Sequence, residues 1–325
     1  MDMNTGSYIC RCMLTAIERS RIWYRRGLLT FVLGLSTPLA VPVSHAATLY
    51  VSSLTPQSIV QVDSAGVVSP FLTLPANSNP FGLAFDGGGN LYVAEPTNNQ
   101  INKITPAGIV SIFVSLSTNS NPIGLAFDGS GNLYVAEQNL NRVSSISPDE
   151  TATLVGSVPA GSFPLGMALD AGGNVYTANI GSGQISKYSP GGVVGVFATL
   201  PGNPKPTGLA FDTNGNLYVA LFGTSQINKI TAAGVMSHFA TLPANSGPKG
   251  LAFDDTGNLY AADFNTDQIS KITADGLTVT AFASAIAKPT FIAFAPIPEP
   301  SSTLLLVVGF TLLRYRSRRP IGERH

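Results

Sequence analysis

Cysteine and charged residues are scarce in this chain of 325 residues. Charged side chains make up 11% of it, and both cysteines, Cys10 and Cys12, lie near the N-terminus. Residues 47–298 therefore have no thiol for a disulfide, a nucleophile or a zinc site. The same range holds one histidine, His238. This region must be held together by an apolar core, and about 250 residues are enough to form one.

Positive charge is also scarce in this central range. Residues 47–298 carry seven Lys and one Arg against fourteen Asp and Glu, a net charge of −6. Nucleic-acid binding needs Lys and Arg to neutralise phosphates, so no nucleic-acid partner is expected. Good helix formers are displaced by 33 Gly and 23 Pro, the two poorest residues in helices. The composition favours short strands joined by tight turns.

Neither terminal region contains an apolar run of about 20 residues, the length that a stable membrane span requires. Near the N-terminus, Arg25 and Arg26 precede a short apolar run, residues 27–35, and Ser44-His45-Ala46 follows. This order predicts a secretory signal peptide over residues 1–46, carried by the Sec translocon and cut between Ala46 and Ala47. The alternative is a membrane anchor, which the short, proline-interrupted run disfavours.

The C-terminal region, residues 297–325, contains three elements in order. Pro298, Glu299 and Pro300 come first, then the thirteen largely apolar residues 301–313, then an arginine cluster at 314–319. This order resembles the PEP-CTERM sorting signal of Gram-negative bacteria. The resemblance implies a transient inner-membrane segment, recognition and cleavage by an exosortase, and delivery to the cell surface or exopolysaccharide matrix. A permanent C-terminal anchor is the alternative.

Six tyrosines recur every 42 residues between these two ends. They are Tyr50, Tyr92, Tyr134, Tyr176, Tyr218 and Tyr260. Each repeat contains four strand-like segments of about five residues, which is typical of a β-propeller blade. Segments two to four occur six times, whereas the full first segment occurs five times, four times as Gly-Leu-Ala-Phe-Asp and once, at residues 166–170, as Gly-Met-Ala-Leu-Asp. A degraded sixth copy, residues 289–294, lies at the C-terminal end.

These counts predict an all-β, six-bladed propeller over residues 47–296. Each blade is a four-stranded antiparallel sheet, and the C-terminal strand joins the N-terminal blade to close the ring, which removes two exposed sheet edges. The repeated Gly-Leu-Ala-Phe-Asp and Gly-Asn-Leu-Tyr-Val-Ala motifs resemble NHL-repeat and gluconolactonase-like propellers. That resemblance implies the fold, but its members include interaction modules, lactonases and lyases.

One position varies among blades while its surroundings stay constant. It follows the second segment of each repeat and is expected on the same side of the disc as the proline-rich loops. Glu95, Glu137, Asn179 and Asp263 occupy it in four blades. Hard oxygen ligands suit a divalent cation such as calcium, so these side chains are candidate metal or ligand groups. A solvated loop that tolerates any residue is the alternative.

Catalytic motifs are weak by comparison. His238 falls in a fourth segment without a nucleophile turn beside it, and the streptogramin-lyase type of propeller depends on a histidine. No catalytic residue is therefore assigned. The sequence favours an exported binding or structural module whose partner is extracellular polysaccharide or a surface protein. The alternatives are a metal-dependent lactonase or lyase, and an extracellular spacer without a small ligand.

Overall fold

The structure is a computed structural model that describes residues 47–296. The predicted signal peptide, residues 1–46, and the predicted sorting segment, residues 297–325, lie outside the described residues. Between them are 24 strands and one short 3-10 turn, Pro96–Asn98. Within residues 47–296 no helix is long and apolar enough to cross a membrane.

The strands follow one another in a regular order. They are β1 Leu49–Leu54, β2 Gln57–Val62, β3 Val68–Thr73, β4 Leu83–Phe85, β5 Leu91–Glu95, β6 Gln100–Ile104, β7 Val110–Ser115, β8 Pro122–Phe127, β9 Leu133–Glu137, β10 Arg142–Ile146, β11 Ala152–Ser157, β12 Pro164–Leu169, β13 Val175–Asn179, β14 Gln184–Tyr188, β15 Val194–Thr199, β16 Pro206–Phe211, β17 Leu217–Leu221, β18 Gln226–Ile230, β19 Met236–Thr241, β20 Pro248–Phe253, β21 Leu259–Asp263, β22 Gln268–Ile272, β23 Val279–Ser284 and β24 Pro289–Phe294.

These strands form six four-stranded antiparallel sheets, which confirms the predicted blade count. Blade 1 has the order β24-β1-β2-β3, and blades 2 to 6 take four consecutive strands each, from β4 to β23. The innermost strands β24, β4, β8, β12, β16 and β20 contact one another in a closed ring. The predicted closure is also confirmed, because β24 pairs with β1 and the Ala295 amide donates to the Thr48 carbonyl at 2.9 Å.

The disc has two faces, which we name by the course of the innermost strands. The entry face is the side on which these strands begin, and it also holds the turns after the second strand of each blade. The exit face is the side on which they end, in turns such as Asp86–Asn90. Strand β1 starts and β24 ends at the exit face, so both ends of the described chain lie there.

The recurring tyrosines connect neighbouring blades. The Tyr92 ring makes edge-to-face contacts with Phe113 of its own blade and Phe127 of the next, both at 4.9 Å between centroids. Tyr50, Tyr176, Tyr218 and Tyr260 repeat this arrangement. Such aromatic pairs are worth about 0.5–1.5 kcal/mol beyond their buried area. The 42-residue period is therefore the spacing of the contacts that hold the blades together.

Glycine brings the innermost strands close to one another at the axis. A Cβ atom added to Gly166 would lie 1.9 Å from the carbonyl oxygen of Thr207 in the next blade. In five blades the residue two positions after the proline of the innermost strand is glycine, as Gly166 is, but in blade 1 it is Phe291. The Phe291 side chain packs with Ile123, Leu165 and Phe81. Apolar side chains from four blades thus fill the axis below the entry face.

Candidate functional site

A cavity of about 440 Å³ opens at the entry face, above the apolar cluster on the axis. Its volume falls within the range of small-molecule sites, about 300–1,000 Å³. One part of its wall is apolar and is formed by Phe81, Ile123, Leu165, Ile180 and Phe222. The polar part includes Asn79, Thr97, Asn121, Gln138, Thr207 and Lys249. Apolar and polar residues therefore contribute to the cavity wall in about equal number.

Two positions of the repeat supply most of this wall. The first directly follows the proline that precedes or begins each innermost strand, and it is occupied by Phe81, Ile123, Leu165, Thr207 and Lys249. The second directly follows the second strand of a blade, and it is occupied by Pro96, Gln138, Ile180 and Phe222. Both positions differ in chemistry from blade to blade. The variation that the sequence shows on this face therefore surrounds a cavity.

The four side chains predicted as ligand groups do not line this cavity. Glu95 and Asn179 are 1% exposed, and Glu137 and Asp263 are fully buried. Each is the last residue of a second strand, paired across to the third strand of its own blade. Successive side chains on an extended chain point to opposite sides. The next residue, such as Gln138 or Ile180, therefore faces the cavity, one position after the predicted one.

Glu137 is fully engaged inside its blade. Its carboxylate receives two hydrogen bonds of 2.8 Å from the Arg142 guanidinium, one of 2.9 Å from the Ser120 hydroxyl, and another from Ser144. A bidentate pair of this kind fixes the geometry of both groups. Glu137 thus braces the second and third strands of blade 3 rather than presenting a free carboxylate.

Glu95 and Asp263 are held less completely. One oxygen of Glu95 accepts hydrogen bonds from Asn98 and Gln100, and one oxygen of Asp263 accepts from Gln268 and Ser270. The other oxygen of each carboxyl group is buried without a partner. Burial raises the pKa of Asp263 to about 6, although the hydrogen bonds from Ser270 and Gln268 lower it. Asn179 bonds to Thr177 and Ser186 within blade 4.

The four side chains do not surround one ion. Among residues 47–296 there is no group of three or more His, Cys, Asp or Glu side chains placed to hold a metal. The reason is that each side chain turns into its own blade, where the third strand supplies its partners. The predicted convergence on a calcium ion is therefore absent from the described part of the chain.

Lys249 is the one ionic side chain in the cavity wall. Its ammonium lies 3.4 Å from the ring centroid of Phe264 and 5.1 Å from that of Phe81. Within residues 47–296 no carboxylate lies at ion-pair distance from it. Burial, together with the charge of Lys288, lowers the pKa of Lys249 to about 8. Aromatic faces attract the cation but leave it without an anionic partner.

The sequence analysis did not identify Lys249, although a signal for it exists. Lysine replaces an apolar residue or threonine at the position that follows the proline of each innermost strand. Variation at the end of the second strand reflects packing inside each blade. Variation among the residues that begin the innermost strands surrounds the cavity, and it is the sequence signal for Lys249.

His238 and four of the lysines lie away from the cavity. His238, on the outermost strand β19, is exposed and its ring nitrogen is 2.8 Å from the Thr241 hydroxyl. Lys103 lies over the Tyr92 ring at 5.5 Å and 3.9 Å from the Asp86 carboxylate. Lysines 187, 229 and 271 lie over the matching tyrosines in the same way. These lysines cover the blade seams.

Comparison with solved structures finds the same architecture in proteins of several kinds. A streptogramin B lyase superposes with a TM-score of 0.63 at 19% identity, covering 79% of this chain and 92% of that one. A catalytically inactive histidine-to-alanine variant of virginiamycin B lyase from Staphylococcus aureus, with quinupristin, gives a TM-score of 0.61 at 18% identity, covering 78% of this chain and 94% of that one.

A nidogen/laminin complex gives a TM-score of 0.66 at 18% identity, covering 77% of this chain and 98% of that one. Two gluconolactonases, one of them putative by its own description and the other from Xanthomonas campestris, each give a TM-score of 0.53 over 65% of this chain. At these identities the similarity shows the fold alone. No curated protein matches the chain significantly.

A family model gives a more specific result. The model of the virginiamycin B lyase family matches residues 30–272, which is about three quarters of the chain and includes all of blades 2 to 5. This chain belongs to the virginiamycin B lyase family.

Proposed function

We propose that this protein binds a small ligand in the entry-face cavity and acts as an exported binding module rather than as a catalyst. The observation that carries this proposal is the cavity itself, which has the volume of a small-molecule site and a wall that combines apolar side chains with hydrogen-bonding groups. The repeat supports it too, because the side chains that line the cavity differ among blades while the frame is constant.

The chemistry of the cavity wall favours binding over catalysis. Its polar members are amides, threonines and one lysine, which donate and accept hydrogen bonds or attract an anion. Histidine is the usual general acid or base, and His238 is exposed on the outermost strand of blade 5. A histidine substitution inactivates the S. aureus lyase, and the described residues place no histidine at this cavity.

A lyase or lactonase is the second candidate, and family membership favours it. Incubation with quinupristin, followed by chromatography and mass spectrometry, tests this candidate. We expect the compound to be recovered unchanged. Formation of a ring-opened product that disappears in Lys249→Met would establish catalysis instead.

We also propose that the protein is exported by the Sec translocon and sorted by an exosortase to the envelope or matrix of a Gram-negative bacterium. The support comes from the order of elements in residues 1–46 and 297–325. At that location the partner would be extracellular polysaccharide or a surface protein. Mass spectrometry of the protein recovered from its producing cells tests the route, with an N-terminus at Ala47 and a C-terminus near Pro298 as the expected result.

Ligand-observed NMR with a library of small soluble compounds tests the binding site itself. Three full-length proteins are compared: the wild type, Thr97→Trp and Thr153→Trp. Thr97 is exposed at the cavity rim, so an indole there covers the opening. Thr153, exposed on β11, is the control for adding tryptophan elsewhere. We expect compounds that bind the wild type and Thr153→Trp to be lost in Thr97→Trp. Equal binding to all three would contradict the proposed site.

A further inference from the structure

We propose that the entry-face cavity takes a carboxylate-bearing ligand with a flat apolar body, and that Lys249 is its anion-recognition group. This inference rests on the proposed binding function and names the class of ligand. The geometry that carries it is a cation in the cavity wall that has no carboxylate partner among the described residues.

The position of the ammonium supports an anionic partner. Lys249 belongs to blade 6, yet its side chain extends over the axis, since its ammonium lies near Phe81 of blade 2 as well as Phe264 of its own blade. A buried or half-buried charge normally pairs with an opposite charge. Here the described neighbours supply aromatic faces and a second cation, Lys288, whose own carboxylate partner is Asp267. A ligand carboxylate would complete the missing pair.

The shape of the cavity indicates the remainder of the ligand. Phe81, Ile123, Leu165, Ile180 and Phe222 form an apolar wall beside the lysine. A volume of about 440 Å³ has room for roughly fifteen water-sized groups, taking about 30 Å³ for each. A compound with one fused aromatic ring system and one carboxylate has this size. A polyanion such as a sugar phosphate would leave charges against apolar side chains.

The amide side chains of the cavity wall add a second feature. Asn79, Asn121 and Gln138 project from blades 2 and 3, and the Asn121 amide already donates to the Gln138 side-chain oxygen at 2.7 Å. The Gln138 amide nitrogen remains available to a ligand. The cavity thus combines a cation, amide groups and apolar side chains, which suits an amphipathic molecule with one acidic group.

The test uses two probes that differ in charge alone: 2-naphthylacetate and 2-naphthylacetamide. Their dissociation constants are measured by isothermal titration calorimetry with the full-length wild type, Lys249→Met and Lys249→Arg. We expect the wild type to bind the carboxylate at least tenfold more tightly than the amide. Lys249→Met should bind both equally, with unchanged affinity for the amide, and Lys249→Arg should keep part of the preference. Thr153→Trp should behave as the wild type.

The outcomes separate this inference from the proposed function. Equal affinity of the wild type for both probes, or a carboxylate preference that survives in Lys249→Met, would overturn the role of Lys249 and leave the cavity as a site for neutral ligands. A lack of binding of either probe to the wild type would overturn the ligand class. Binding that persists unchanged in Thr97→Trp would place the probes elsewhere and count against the cavity as the site.

Discussion

The two faces of the disc are built from the same repeat but differ in how uniformly the blades repeat it. At the exit face, five innermost strands end in the same Asp-to-Asn turn, with Asp86, Asp128, Asp170, Asp212 and Asp254 in identical roles. At the entry face, equivalent positions carry phenylalanine, isoleucine, leucine, threonine and lysine. The exit face therefore repeats one structural turn in five blades, whereas the entry face presents a different side chain in each of them.

In the exit-face turn, the aspartate carboxylate accepts hydrogen bonds from residues of the same turn. In blade 5, Asp212 accepts from the backbone amides of Asn214 and Asn216 at 2.9 and 2.8 Å, and from the Asn216 side chain at 2.8 Å. The Tyr218 hydroxyl and Lys229 ammonium lie at 3.3 and 3.9 Å. Burial works to raise the pKa of Asp212, but the hydrogen bonds from Asn216 and Asn214 outweigh it and the pKa is lowered. This carboxylate is a structural anion.

The largest effect is expected from breaking one such turn. Asp212→Ala leaves several donors without their acceptor, and hydrogen bonds to a charged group contribute about 1.5–3 kcal/mol. We expect the free energy of unfolding, measured with urea, to fall by about 2–3 kcal/mol while probe binding at the entry face is retained. The exposed neighbour in the same turn, Thr213→Ala, should change stability by less than about 0.5 kcal/mol. Loss of probe binding in folded Asp212→Ala would show that the faces are not independent.

An intermediate effect of opposite sign is expected at the entry face. The pKa of Asp263 is about 6 in the folded protein, above the ordinary value near 3.9. Its stabilising contribution is therefore complete below about pH 4 and is lost as the pH rises through about 6. Asp263→Asn should raise the free energy of unfolding by roughly 1–2 kcal/mol at pH 7.5 and hardly change it at pH 4.

Urea unfolding of wild type and Asp263→Asn at both pH values measures this difference. The exposed carboxylate Asp255 provides the control, because Asp255→Asn makes the same carboxyl-to-amide change at a solvent-exposed position. A constant difference between wild type and Asp263→Asn across the range would mean that Asp263 titrates normally.

The smallest effect is expected at Lys249. Its folded pKa, about 8, lies below the ordinary value near 10.4, so the charged form is disfavoured in the folded state at neutral pH. Lys249→Met keeps the apolar stem and removes the charge, and we expect a gain of about 0.5–1 kcal/mol at pH 7. The exposed Lys205→Met should be neutral. A marked loss of stability in Lys249→Met would show that its cation–aromatic contacts hold the fold together.

The fold could be predicted from the sequence because its information is repeated. Tyr92 and its counterparts recur at a fixed spacing, and the fragmentary first and last repeats complete one another. The divergent sixth copy of the first segment, which contains Phe291, can still be recognised because the other five copies keep the pattern. Repetition also explains the turn, since Asp and Asn there bond to nearby backbone.

The site could be predicted less completely because it depends on the direction of single side chains. Glu95, Glu137, Asn179 and Asp263 end the second strands at the entry face, but alternation along the strand turns their side chains into the blades. A shift of one residue reverses the side of the sheet to which a side chain points. The cavity also combines residues from five blades, and Lys249 approaches Phe81 over the axis, which no local pattern indicates.

Because β24 pairs with β1, the closed ring does not depend on which loop contains the chain ends. Thr48 and Ala295 are joined by a backbone hydrogen bond, so a short linker could connect residues 47 and 296. The chain could then be opened at an exposed loop between any two blades. Such a circular permutant would keep every contact between blades and the cavity. The new chain ends would then lie between two other blades instead of at the β24–β1 pair in blade 1. The cavity is thus a property of the closed ring and not of the order in which its blades are translated.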